Sequence, residues 1–167
     1  MVHVMGQKTL WLWRFLLILV ILLNLFTVFG FSAEDASAST DTSRGISDLL
    51  AAAFYPNFES LDADAQEAVM IRADSIVRTL AHCIIFLPMA FAGTLLLFSF
   101  PLRRLRLPPL FSLLFSLLAA LLDEIHQAFV PGRAFQFSDL FYDGIGMLLG
   151  CGMATLIFLL YKKRKTE

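Results

Sequence analysis

Charge is scarce in this chain. Asp, Glu, Lys and Arg together make up 16% of its 167 residues, against 58% hydrophobic residues, a balance that excludes an ordinary soluble domain. The formal net charge of −1 supplies no basic field for a polyanion, so no nucleic acid is expected as a partner. Cysteine is also rare. Cys83 and Cys151 both fall inside apolar stretches, where a thiol behaves as a small hydrophobe, and this excludes a disulfide framework. There is no zinc-type Cys/His spacing, no phosphate-cradling glycine loop and no internal repeat, so no metal is assigned and no cofactor is named.

What is present is apolar sequence in long runs. Leu10 to Phe31 is broken only by Arg14, Asn24 and Thr27, and it is long enough to cross a hydrocarbon core of about 30 Å. A secretory signal is the competing reading, because Lys8 precedes the run and Ser32-Ala33 follow it. The run exceeds a typical signal core, however, so a retained span is expected. The second span is 76–100, where Pro88 predicts a kink. Pro108 and Pro109 open the third, 108–127, and the fourth is 140–161, with Asp143 its only charge.

Between the first two spans, residues 32–75 carry nine acidic residues against Arg44 and Arg72. Ser32 to Ser47, rich in Ser, Ala, Thr and Asp, reads as a flexible loop. From Ser60 onward the composition predicts a helix capped by Ser60 or Asp62, lying on the surface and running into the second span. The basic groups (Lys8 with Arg14, Arg103 to Arg106, Lys162 to Lys165) all fall on one side and the acidic loop on the other. The positive-inside rule then puts both termini in the cytoplasm. The expected fold is an all-α membrane protein: a four-transmembrane-helix bundle, N-in/C-in, with one acidic outer loop containing an interfacial helix, as one membrane domain over 1–167. Gly146 and Gly150 form a small-xxx-small pair suited to close helix packing in lipid.

Given that topology, the polar residues near the spans share one depth. Arg78 and His82 open the second span from outside; Asp123, Glu124, His126 and Gln127 end the third; Arg133 follows Pro131-Gly132 in the turn; Asp139 and Asp143 begin the fourth. Residues three and four apart share a helix face, which groups Asp123 with His126 and Gln127, Arg78 with His82, and Asp139 with Asp143. Charges in lipid are costly and turn toward a wet interior and toward one another. One outward-facing pocket is therefore expected, with Arg78, His82, Gln127, Arg133, Asp139 and Asp143 as binding residues and Asp123, Glu124 and His126 as catalytic candidates. Glu124 and Arg78 are the two with the readiest access to water. Asp143 needs a partner, with Arg133 and Arg78 nearest in expectation and His82 next. Carboxylate plus histidine suits general acid/base work or a divalent ion, whereas arginine suits phosphate or carboxylate, and these alternatives stay open.

The block Asp123-Glu124-Ile125-His126-Gln127 followed by Pro131-Gly132-Arg133, with Asp139 and the glycines Gly146 and Gly150 beyond it, resembles the signature of the VanZ-like family of bacterial membrane proteins. Arg78-Thr79-Leu80-Ala81-His82 is similar to that family's second motif. The resemblance covers most of the chain. It implies a multi-pass protein of the cell membrane in bacteria of Gram-positive type, in a family whose founding member is associated with low-level resistance to the glycopeptide teicoplanin. It implies no established reaction. Two positions depart from the family pattern: Cys83 stands where an aromatic is frequent, and Asp143 where asparagine is common, which adds a negative charge to the pocket. The expected partners are membrane lipids together with a lipid-linked cell-wall precursor or a glycopeptide antibiotic. The alternative is an interfacial enzyme acting on a lipid headgroup through Asp123, Glu124 and His126.

Overall fold

The computed structural model describes residues 6–100 and 106–164. Arg103, Arg104 and Lys165, which carry part of the positive-inside argument, lie outside the described residues. Among the described residues all regular structure is helical: α1 (Gln7–Ser32), α2 (Ala36–Phe54), a short 3-10 turn (Phe58–Ser60), α3 (Ala63–Ile85), α4 (Leu87–Phe98), α5 (Leu107–Gln127) and α6 (Phe137–Lys163). Four stretches are long and apolar enough to cross a bilayer: α1, the Ala63–Phe98 rod formed by α3 and α4, α5 and α6.

The rod is interrupted where Pro88 lacks an N–H to donate to the preceding turn. α3 ends at Ile85, Phe86 forms the joint, and α4 starts with Pro88 in its first turn. A carbonyl left open at such a joint needs a partner in lipid. Asn24 of α1 supplies it, donating from Nδ2 to the Ile85 carbonyl at 2.8 Å. One of the few polar residues in the first span is thus spent on the kink of the second.

α4 packs against α1, α5 and α6 and forms the middle of the bundle. Phe86, Met89, Ala90, Ala120 and Met147 are fully buried there and join Val28 and Cys151 in one cluster. The approach of α6 depends on two glycines. A methyl group at Gly146 would fall on the Cys83 carbonyl, and one at Gly150 on the Leu87 carbonyl, so only hydrogen allows this separation. The opposite faces are apolar and uncovered, with Phe26 at 80% exposure and Leu148 at 61%. Surface of that kind belongs against hydrocarbon rather than water.

At one end of the bundle Arg14 donates from Nε to Ser99 Oγ at 2.9 Å and from a terminal nitrogen to the Ser99 carbonyl at 2.6 Å, with its guanidinium over the Phe100 ring. It closes the C-terminus of α4, where orphan carbonyls favour a cation. Arg106 at the start of α5 and Lys162 at the end of α6 belong to this end by the alternation of the helices.

Residues 36–47 correct the sequence expectation. The stretch read as a flexible loop lies in α2, capped by Asp35, whose carboxylate accepts from the Ala38 N–H at 2.9 Å. Ser47 and Ala51 are buried against α3, Ser43 Oγ donates to Asp74, and Arg78 donates to Thr40 Oγ1 at 2.8 Å. Docking on α3 orders a segment whose composition alone favours disorder. Asp62 does cap α3, accepting from the Ala65 N–H at 2.8 Å.

Candidate functional site

The bundle end opposite Arg14 holds a cavity of about 650 Å³, lined by α1, α2, α3, α5, α6 and the turn after α5. Each polar group is delivered by a helix end. α5 finishes at Gln127, so Asp123 and Gln127, four residues apart, share its inward face and are both buried at 3% exposure. Gln127 Nε2 donates to Asp123 Oδ2 at 2.8 Å. The turn Val130 to Arg133 closes with the Arg133 N–H donating to the Val130 carbonyl at 3.1 Å, and Gly132 takes φ +74°. Proline in the second position and glycine with positive φ in the third are what a type II turn requires.

That turn aims Arg133 back over α5 and α1. Its guanidinium donates to Gln127 Oε1 at 2.7 Å and to the Phe31 carbonyl at 3.3 Å. It reaches Asp123 only through Gln127. Arg78 turns the other way, to Asp74 Oδ2 at 2.9 Å and to Thr40. Neither arginine partners Asp143. Its partner is His82, with Nδ1 3.0 Å from Oδ1, because the glycine contact at Gly146 brings α6 against α3 within one turn of both residues. The expected order of partners is corrected: His82 comes first.

Glu124 also departs from expectation. Read as open to water, it is wholly buried, since it points between α5 and the start of α6 and accepts from the Gln136 N–H through Oε2 at 2.8 Å. One oxygen of Glu124, His82 and Asp139 lie as a group within 4.8 Å, and His82 Nε2 is 3.5 Å from Asp139 Oδ2. His126 is placed elsewhere: its Nδ1 is 3.2 Å from Ser32 Oγ and its ring lies 6.1 Å from that of Phe29, in the α1–α5 contact. The cavity wall therefore includes Arg78, His82, Asp123, Gln127, Arg133 and Asp139, with Glu124 and Asp143 in the layer beneath.

Several partners in this network went unread in the sequence. Asp74 stands four residues before Arg78, a spacing that predicts a helical ion pair, and that signal was legible. Ser32, Thr40 and the Gln136 N–H had no local signal, because each meets its partner across more than ten residues of chain.

Helices of this length and hydropathy, with a polar constellation walled in at one end, define a multi-pass membrane protein. The family model described as VanZ/LLP1 matches residues 15–159, and the chain belongs to that family. No curated protein and no solved structure matches it significantly.

Proposed function

We propose that this chain is a VanZ-like protein of the cell envelope, both termini inside, whose outward-facing pocket engages a lipid-linked cell-wall precursor or a glycopeptide antibiotic and so contributes to resistance of the teicoplanin type. The carrying observation is the mixed lining of the cavity. Arg78 and Arg133 bring cationic donors to the wall, and Val28, Phe31 and Ile46 bring apolar surface. A phosphate- or carboxylate-bearing headgroup with an attached chain matches both. Family membership supports the link to resistance, and the basic residues at the opposite end support the orientation.

The alternative, an interfacial enzyme using Asp123, Glu124 and His126, has less behind it. The three side chains turn to Gln127, to Gln136 and to Ser32 respectively, and of the three only Asp123 is part of the cavity wall. The test is membrane expression and envelope-antibiotic susceptibility for Arg133→Ala, Asp143→Asn and the double mutant, together with binding of a lipid-linked precursor and of teicoplanin to the purified protein. Normal expression with lost protection and weakened binding is expected. Wild-type protection in every variant would overturn the pocket reading.

A further inference from the structure

We infer that His82, Glu124 and Asp139 form a binding site for one divalent cation of the zinc or manganese type at the base of the cavity. The inference goes beyond the amphiphile reading and does not depend on it. It also goes beyond the sequence, which assigned no metal. The three residues each offer one ligand atom, and these atoms lie within 4.8 Å of one another. In a tetrahedral site with metal bonds of about 2.0–2.1 Å, neighbouring ligand atoms stand roughly 3.3 Å apart. The His82 Nε2 to Asp139 Oδ2 separation of 3.5 Å already fits that spacing, and small side-chain rotations bring in Glu124.

His82 is oriented from its other side. Its Nδ1 lies 3.0 Å from Asp143 Oδ1, which leaves Nε2 as the ring nitrogen that faces Asp139. A carboxylate that orients a histidine in this way is the usual support behind a metal-bound imidazole. The ligand carboxylate is supported as well, since Glu124 Oε2 accepts from the Gln136 N–H.

Glu124 gives a separate indication. The residue is wholly buried and its Oε1 has no hydrogen-bond partner among the described residues, although a carboxylate in that position needs compensation. The basic side chain that Asp139 and Asp143 both meet is His82, while the nearby arginines are engaged by Asp74, Thr40 and Gln127. One imidazole with two carboxylates suits zinc or manganese, whereas oxygen-only sets suit magnesium or calcium. Three protein ligands leave a coordination position toward the cavity, where His82 and Asp139 are part of the wall.

The experiment uses the full chain in detergent, stripped with chelator and titrated calorimetrically with Zn²⁺ and with Mn²⁺, alongside the absorption spectrum of the Co²⁺-loaded protein. One equivalent of Zn²⁺ or Mn²⁺ per chain is expected, with a Co²⁺ spectrum free of thiolate charge transfer. Glu124→Gln should abolish binding, and Asp143→Asn should weaken it about 10–100-fold. Should Glu124→Gln fail to fold, Asp139→Asn, at a partly exposed position, carries the same expectation, and Glu59→Gln in the distant 3-10 turn should bind as the wild type does. Absence of saturable binding by the wild type overturns the inference, as does unaltered binding by both Glu124→Gln and Asp139→Asn. A thiolate band would move the metal to Cys83 and overturn it too. Amphiphile binding without metal sinks this inference alone, and metal without amphiphile sinks only the proposed function.

Discussion

Replacing Gly146 by alanine perturbs the packing and the pocket through one contact, and the size of the effect follows from the geometry. The added Cβ would fall on the Cys83 carbonyl oxygen and stand 2.9 Å from the carbonyl carbon, whereas carbons in contact prefer about 3.5–4.0 Å. The obstacle is backbone, so α6 must withdraw from α3 by roughly 1 Å. His82 precedes Cys83, and Asp143 lies one turn before Gly146. The same withdrawal therefore stretches their 3.0 Å contact to about 4 Å, beyond hydrogen-bond range. Overpacking costs about 1–3 kcal/mol, and a polar contact between membrane helices adds roughly 0.6 kcal/mol. At about 2–4 °C per kcal/mol for a chain of this size, Tm should fall by roughly 3–14 °C. Gly152 on the same helix is the control, because a Cβ there meets nothing within 4 Å. Gly152→Ala should be neutral or stabilising by up to about 1 kcal/mol. The assay is thermal unfolding of both variants in detergent micelles. Equal Tm values for Gly146→Ala and Gly152→Ala would refute the argument that this glycine sets the α3–α6 separation.

Cysteine placed at Glu59 should react with an impermeant maleimide applied to intact cells, and cysteine at Arg164 should stay silent; strong labelling at 164 would reverse the orientation. Removing the guanidinium in Arg133→Ala should release the Phe31 carbonyl and Gln127 together and so raise hydrogen exchange at the end of α1, an effect that Arg44→Ala should not reproduce. The Ala38 N–H, followed by the Ser37 hydroxyl, holds the Asp35 carboxyl below its ordinary value of 3.8. A lowered pKa means that the cap contributes fully above 3.8 and is lost as pH falls from there through the lowered folded value, so exchange in the first turn of α2 should rise only in that more acidic range. Asp35→Asn keeps an acceptor and should remove the pH dependence.

The four spans and the gathering of polar groups at one end were legible because bilayer thickness and the cost of charge in lipid act on sequence directly. A run such as Leu10 to Phe31 needs no tertiary partner to be recognised, and Pro88 announces its break by chemistry alone. The turn at Pro131-Gly132 was legible on the same ground, since its residues prescribe its dihedrals. What only the tertiary structure decided is which side chain meets which. α2 is a helix because Ser47 and Ala51 bury against α3, a gain invisible in a stretch of Ser, Thr and Asp. Glu124 is buried rather than wet because α6 begins over it, and Asp143 meets His82 rather than an arginine because Gly146 lets two backbones touch. Local sequence sets the depth of a residue and its helical face. The azimuth of each helix about its neighbours is fixed by packing between residues far apart in the chain, and on that azimuth the identity of every buried pair depends.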